Sequence, residues 1–256
     1  MTPAWPRVHV RPEAVRGDRL ALDARETHHL RRVLRLGVGD LVRAMDGSGH
    51  EWTVRLTAVG PGGAEGEILE AGAPPPESPL ALTLAQGVPK GDKLEGIIRM
   101  STELGVAAVA PLLTERSVAR ADAARWSGRR ARWERVAREA AKQCGRAVVP
   151  AVSAPLGLCD WLRTWPAGGL LLCLWEGETA PLAEVLPARA PERAAVVVGP
   201  EGGLAAEEVS ALRAAGALVA GLGPRLLRTE TAGPVAVALL QARWGDLGTR
   251  ASGRAP

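Results

Sequence analysis

Hydrophobic positions change period along this chain. Up to about residue 72 they alternate with polar ones in short runs. Arg7-Val8-His9-Val10 and Arg19-Leu20-Ala21-Leu22 read as half-buried strands. So does Glu51-Trp52-Thr53-Val54-Arg55-Leu56, whose even positions face a core. Asp46-Gly47-Ser48-Gly49 is a turn of the kind that closes a hairpin ahead of that strand. Between the runs, Leu30, Val33 and Leu34 recur at helical spacing within 27–36, with Arg31, Arg32 and Arg35 on the opposite side. A small β domain over residues 1–72, interrupted by one short helix, is the expectation.

Residues 73–79 form a linker. Pro74-Pro75-Pro76 favours extended polyproline geometry and excludes a helix or a central strand. A second domain, 80–249, follows. It opens on the strand Leu80-Ala81-Leu82-Thr83-Leu84-Ala85 and a helix capped by Asp92, with Glu95 completing a reciprocal cap. Leu94, Ile97, Ile98 and Leu104 form the buried face of that helix, Gly105 ends it, and 106–113 is the next strand. A β–α–β unit of this kind implies a parallel sheet with a right-handed crossover. Trp126, Trp133, Val136, Ala140 and Cys144 then make one apolar helical stripe, weakened at its start by Gly128. In the last helix Pro234 is expected within the first turn, and 250–256 is a loose tail.

The apolar runs Ala194-Ala195-Val196-Val197-Val198 and Ala217-Leu218-Val219-Ala220-Gly221-Leu222 suit strands buried on both faces. Each leads into a glycine-punctuated loop and then a helical pattern: Gly199-Pro200-Glu201-Gly202-Gly203 after the first, and Gly223 to Ala232 after the second. Ligands of open α/β sheets sit beyond the carboxyl ends of such strands, where backbone N–H groups are free. These loops are therefore the candidate site. Leu170 to Leu174 is another buried strand, and by position Leu174-Trp175-Glu176 lines the same end of the sheet, although Trp175 serves equally as core packing.

Composition narrows the class. The chain is ordinary globular material, 46% apolar and 23% charged, without an apolar run that spans a bilayer or an N-terminal signal segment. Cys144, Cys159 and Cys173 are widely spaced, which argues for a reducing cytoplasm and against a disulfide framework or a zinc site. His28 and His29 lack the acidic or cysteine neighbours of a metal centre, so no metal is expected. Between Arg116 and Arg146 ten basic and three acidic residues give +7, while the whole chain carries +4. Positive charge gathered in one segment suits a polyanion, or else a solvated helix face.

The glycine loops together resemble a specific family. Val198 to Gly203, followed by Leu222-Gly223-x-Arg225-x-Leu227-Arg228-Thr229-Glu230-Thr231-Ala232, is similar to the SPOUT-class methyltransferases that modify uridine N3 of 16S ribosomal RNA. His29-x-x-Arg32-Val33-Leu34-Arg35 with Gly39-Asp40 and Asp46-Gly47 resembles that family's N-terminal PUA-like barrel. Lys90-Gly91-Asp92-Lys93, Thr102 to Gly105, Glu115-Arg116-Ser117, Glu139 to Arg146 and Trp244 to Gly248 extend the likeness over most of the chain. It implies an α/β fold: a SPOUT-type α/β methyltransferase domain with a C-terminal trefoil knot, preceded by a small PUA-like β-barrel. It also implies S-adenosylmethionine as cofactor, 16S rRNA or the small ribosomal subunit as partner, a homodimer, and a cytoplasmic location.

Under that resemblance the cofactor is held by Leu174, Trp175, Gly199, Pro200, Gly202, Gly203, Leu222, Gly223, Leu226, Leu227, Thr229, Thr231 and Ala232. Glycine suits the task because backbone approaches a nucleoside closely only where side chains are missing. Thr229 and Thr231 either cap the last helix or reach the cofactor. Arg7, Arg32, Arg35, Lys90, Lys93 and Arg146 are the candidate RNA contacts. Uridine N3 holds a proton and is a poor nucleophile until that proton leaves. Arg228 is the candidate stabiliser of the resulting anion, and Glu201 or Glu230 the candidate base or, alternatively, a helix-end carboxylate. Two alternatives stay open: a non-catalytic RNA-binding or ribosome-assembly protein of the same fold, and a methyltransferase acting on transfer RNA or a ribose hydroxyl.

Overall fold

In the computed structural model, which describes residues 5–117, 123–178 and 180–249, the chain separates into two compact units. The first comprises residues up to 77 together with 141–149; the second comprises 78–140 and 150–249. Residues 141–149 were expected within the second domain, so their grouping with the first departs from the sequence reading. The expected tail at 250–256 lies outside the described residues.

In the first unit, strands β1 (Arg7–His9), β2 (Val15–Arg16), β3 (Arg19–Leu22), β4 (Leu41–Met45), β5 (Glu51–Gly60) and β6 (Gly63–Ala71) form one sheet in the order β1-β4-β5-β6-β3-β2. All its pairings are antiparallel except β1 with β4. Val8, Val10, Leu20, Leu22, Val42, Val54 and Leu56 fill its core, as the alternation requires. Glu51 and Thr53, on the face expected to be polar and exposed, are buried instead. Glu51 is accommodated because Arg43 donates to its Oε1 at 2.7 Å and Arg7 lies 3.0 Å from its Oε2.

Helix α1 (Ala24–His29) starts at Asp23, whose carboxylate accepts from the backbone N–H groups of Arg25 and Glu26. It runs into a π turn over Leu30–Leu34, closed by Arg35 in the left-handed conformation at φ 58°. That wider turn breaks the expected burial. Leu30 is fully buried, whereas Val33 is turned out to 63% exposure beside the exposed Arg31, Arg32 and Arg35.

The second unit is a parallel sheet. It contains β7 (Ala81–Gly87), β8 (Ala108–Leu113), β9 (Ala151–Val152), β10 (Leu156–Gly157), β11 (Leu170–Leu174), β12 (Arg193–Val198) and β13 (Leu218–Ala220). The order is β10-β8-β7-β12-β11-β13, with β9 also on β8. Helices α2 (Lys93–Glu103), α3 (Ala123–Cys144), α4 (Leu158–Thr164), α5 (Leu182–Val185), α6 (Ala206–Ala214) and α7 (Thr229–Trp244) follow in chain order. Every residue from Ala194 to Val198 is buried, as a strand covered on both faces should be.

Local chemistry departs from expectation at the starts of α2 and α7. Asp92 makes no side-chain cap; Asp92 and Glu95 face Arg132 instead, at 3.6 and 2.7 Å. At α6 the Glu208 carboxylate accepts from the Ala205 N–H at 2.9 Å, the half of a reciprocal cap that needs no hydroxyl at the first position. Pro234 is the sixth residue of α7, beyond the first turn, so its missing N–H removes a helical bond within a buried stretch.

Candidate active site

The carboxyl ends of β11, β12 and β13 open onto one cavity of about 770 Å³. Loop residues 199–203, 221–228 and 174–178 wall it, so the separate glycine loops meet. Each loop is shaped by close packing. A Cβ on Gly199 would lie 2.6 Å from the Gly203 carbonyl carbon, and one on Gly203, at φ +70°, would lie 2.3 Å from Glu176 Oε1. Gly223, at φ +103°, has open space where a side chain would stand. Gly223, Leu226 and Leu227 line the cavity, and among the described residues nothing in the protein accepts from their backbone N–H groups.

Neighbouring elements brace the first loop. Arg116 donates from Nη1 to the Gly202 carbonyl at 2.8 Å, and the Glu115 N–H donates to Glu208 Oε1 at 2.9 Å. From the end of β7, Gln86 reaches under the same loop, donating to the Gly199 carbonyl at 3.2 Å. No role had been assigned to Gln86 or Arg116 from sequence. The one sign of Gln86 in the sequence is a polar residue directly after the apolar run that ends at Ala85.

Electrostatics concentrate on one side. Lys93, from the first turn of α2, lies 2.8 Å from Glu201 Oε1 and 3.6 Å from Glu230 Oε2. Burial pushes the Glu201 carboxyl up, but the Lys93 hydrogen bond, the backbone N–H groups of Glu201 and Lys90 and the Lys93 charge together outweigh it and hold it below the usual carboxylate range. The Lys93 ammonium is correspondingly raised, first by the hydrogen bond to Glu201. Arg225 and Arg228 are exposed and line the cavity. The site thus offers glycine-lined backbone for a flat ligand, and a flank of mixed charge for a polyanion.

Leu174, Trp175, Gly199, Pro200, Glu201, Gly202, Gly203, Leu222, Gly223, Leu226, Leu227, Arg228, Thr229 and Ala232 are brought together here, with Lys93. Thr231 is exposed and is not among the lining residues. Thr229 caps nothing: it is buried, and its hydroxyl donates to the Gly199 carbonyl at 2.7 Å. Arg7 and Arg146, expected on RNA, are held in ion pairs of the first unit with Glu51 and Glu77. Arg32 and Arg35 stand exposed on that unit, and Lys90 is exposed on the second. Among the described residues no cluster of His, Cys, Asp or Glu could hold a metal ion, and no helix is long and apolar enough to cross a membrane.

Residues 76–241 match the model of the RNA methyltransferase domain, and residues 22–69 match the RNA methyltransferase PUA domain. Ribosomal RNA small subunit methyltransferase E of Synechocystis sp. is 36% identical over 239 residues, covering 92% of this chain and 77% of that protein. The chain belongs to the ribosomal RNA small subunit methyltransferase E family. The Bacillus subtilis protein of that name is 33% identical over 218 residues, covering 83% of this chain and 85% of its own. A crystal structure of methyltransferase E from Neisseria gonorrhoeae, bound to S-adenosyl methionine, superposes with a TM-score of 0.86 at 33% identity, over 94% of this chain and 99% of the other. Membership in the methyltransferase E family agrees with the SPOUT-type α/β domain and PUA-like domain expected from the sequence motifs.

Proposed function

We propose that this protein transfers a methyl group from S-adenosylmethionine to N3 of one uridine in 16S ribosomal RNA. The observation that carries the reading is the meeting of the glycine loops around a single cavity. Its volume falls in the range of small-ligand sites, and the open space at Gly223 leaves room for an adenosine against bare backbone. The donors at Gly223, Leu226 and Leu227 match the acceptors of adenine and ribose. When bound, S-adenosylmethionine supplies an activated methyl group on sulfonium.

The chain's own residues manage alignment and charge. Arg228, exposed at the cavity, stabilises negative charge on the uracil ring as the N3 proton leaves. Glu201 is ionised at neutral pH, but a carboxyl held below its usual range is a weak base, so its main work is to fix Lys93. Glu230, 3.6 Å from Lys93, is the alternative proton acceptor. Exposed Arg32, Arg35, Lys90 and Lys93 contact RNA phosphates, while Arg7 and Arg146 brace the RNA-binding unit through their ion pairs. Residues 73–79 link an RNA-binding domain, 1–72, to the methyltransferase domain, 80–249.

The same reading includes a trefoil knot, a homodimer and action in the cytoplasm, where ribosomal subunits are. Close pairing of the segment after β13 with residues 175–182 is what supports the knot reading: Gly221 donates to the Ala180 carbonyl, Leu182 to the Gly221 carbonyl, and Trp175 to the Ala220 carbonyl. Leu226 at 86% exposure, with the exposed Met100 and Leu239, supports a covering second copy.

The test is mass mapping of 16S RNA from a strain lacking the gene, repeated after treatment with purified protein and S-adenosylmethionine. One restored methyl group on uridine N3 is expected, with naked RNA and small subunits compared as substrates. Cofactor binding without transfer would favour the assembly-protein alternative. A methyl group on transfer RNA or on a ribose oxygen would move the target.

A further inference from the structure

The last but one residue of strand β7 is a fully buried amide, Gln86. Its Nε2 lies 2.9 Å from Thr229 Oγ1, 3.2 Å from the carbonyls of Gly87 and Gly199, and 3.4 Å from the Val198 carbonyl. Carbonyl oxygens only accept, so the NH₂ group must face them and the amide cannot be turned over. Its own oxygen, Oε1, is left without a donor and points at Gly233, where a Cβ would lie 2.8 Å away. A side chain at 233 would crowd that oxygen and the Leu84 methyl groups.

The Thr229 hydroxyl donates to the Gly199 carbonyl at 2.7 Å, so towards Gln86 it can only accept. The bonds therefore run one way: Gln86 N–H to Thr229 hydroxyl, and Thr229 O–H to Gly199 carbonyl. Residues separated by 143 and 30 positions in the chain are joined by two bonds. One belongs to the end of β7, one to the first turn of α7, and one to the glycine loop after β12. Gly199 and Thr229 both line the cavity, one from the first glycine loop and the other from the start of α7, directly after the second loop. Four acceptors converge on this one NH₂ group, which holds the amide where the end of β7, the loop after β12 and the start of α7 meet.

We propose that Gln86 is a positioning residue. By fixing Thr229 against Gly199 it sets the two cavity loops, before any ligand arrives, in the spacing that accepts the cofactor. This rests on the reading of the cavity as the S-adenosylmethionine site. Gln86 touches neither cofactor nor RNA; it acts through the loops. Binding then avoids the ordering of two separate loops, which otherwise opposes affinity.

The variants Gln86→Leu, Thr229→Val and Thr229→Ser, made in the full chain, test it. Calorimetry with S-adenosylmethionine, steady-state kinetics on 16S RNA and hydrogen exchange of residues 199–203 and 222–228 are the readouts. Gln86→Leu and Thr229→Val are expected to weaken cofactor affinity and raise its KM about tenfold to a hundredfold. For Gln86→Leu the KM for RNA should not move, and kcat at saturating cofactor should stay within about threefold. Exchange in both loops rises, the double variant is no worse than the poorer single one, and Thr229→Ser restores binding. Wild-type affinity in both variants, or a loss confined to the RNA KM, overturns the proposal. If Gln86→Leu does not fold, the contrast between Thr229→Val and Thr229→Ser decides. Should the wild-type protein itself not bind S-adenosylmethionine, the functional reading falls. Loop exchange in the variants then still decides whether Gln86 holds the loops.

Discussion

Lys93 and Glu201 meet at 2.8 Å across 108 residues of chain, joining the start of α2 to the glycine loop after β12. The pair shifts Glu201 down and Lys93 up, which fixes its behaviour with pH. A carboxyl whose folded pKa is depressed contributes stability that is complete above its unfolded pKa and is lost as pH falls through the folded one. A raised lysine contributes below its unfolded pKa and loses that contribution only as pH rises through the folded one. Loop stability and ligand affinity should therefore be flat through neutrality and fall on the acid side, below the ordinary glutamate range. Glu201→Gln is expected to abolish that acid limb while leaving the alkaline dependence of methyl transfer in place. Denaturation and rate profiles from about pH 3 to about pH 11 check it, since that span takes in the carboxylate titration and continues past the ionisation of the uridine imide. A loss of transfer at neutral pH that is regained as pH rises and uridine N3 ionises unaided would instead make Glu201 the base.

Arg228 offers a separable prediction. It stands at the end of the second loop, exposed at the cavity edge, immediately before α7. A group aimed at developing charge acts in the transition state and adds little to ground-state affinity. Arg228→Ala is expected to lower kcat about a hundredfold to a thousandfold, with the S-adenosylmethionine dissociation constant unchanged. Arg228→Lys should recover only part, since an ammonium lacks the planar fork. Single-turnover kinetics beside calorimetry separates the two quantities.

Gly203 and Gly128 should respond in opposite directions to the same substitution. At Gly203, φ is +70° and a Cβ would meet Glu176 Oε1, so Gly203→Ala is expected to cost about 1–3 kcal/mol and to weaken cofactor binding. Gly128 lies in the interior of α3 with nothing within 4 Å of a Cβ, so Gly128→Ala should stabilise by about 1 kcal/mol. Urea unfolding of the two variants beside wild type checks both signs.

How far the fold could be read beforehand depended on how local its causes are. Ala194 to Val198 and Leu170 to Leu174 announce buried parallel strands because burial on both faces leaves no polar position. The loops after them show in the glycines their close packing requires. What escaped depends on partners distant in sequence. Glu51 is buried because Arg7 and Arg43 come to it, and those same contacts engage Arg7, an expected RNA contact, in an ion pair. Arg146 is likewise committed to Glu77. Val33 faces outward because one π turn shifts the helical register, and the residues of 30–34 do not advertise that turn. Gln86 matters through Thr229, a contact that exists only once the sheet is assembled.

The last case of this kind is the buried pair of Glu26 and Lys142 in the first unit. Both side chains are 7% exposed, and Nζ donates to both carboxylate oxygens at 3.0 Å, while the His9 N–H donates to Oε2 at 3.2 Å. Glu26 comes from α1 and Lys142 from the end of α3, so this contact is one reason residues 141–149 cluster with the N-terminal sheet. Two desolvated charges that satisfy each other add little net stability, but one left alone is expensive. Lys142→Met is expected to cost about 3–5 kcal/mol, because Glu26 keeps its burial and loses its counter-charge. Glu26→Leu combined with Lys142→Met should regain most of that loss. Urea midpoints for the single and double variants measure it, with hydrogen exchange of residues 141–149 as the local readout. If the double variant is as unstable as Lys142→Met alone, the lysine's packing rather than its charge holds the segment.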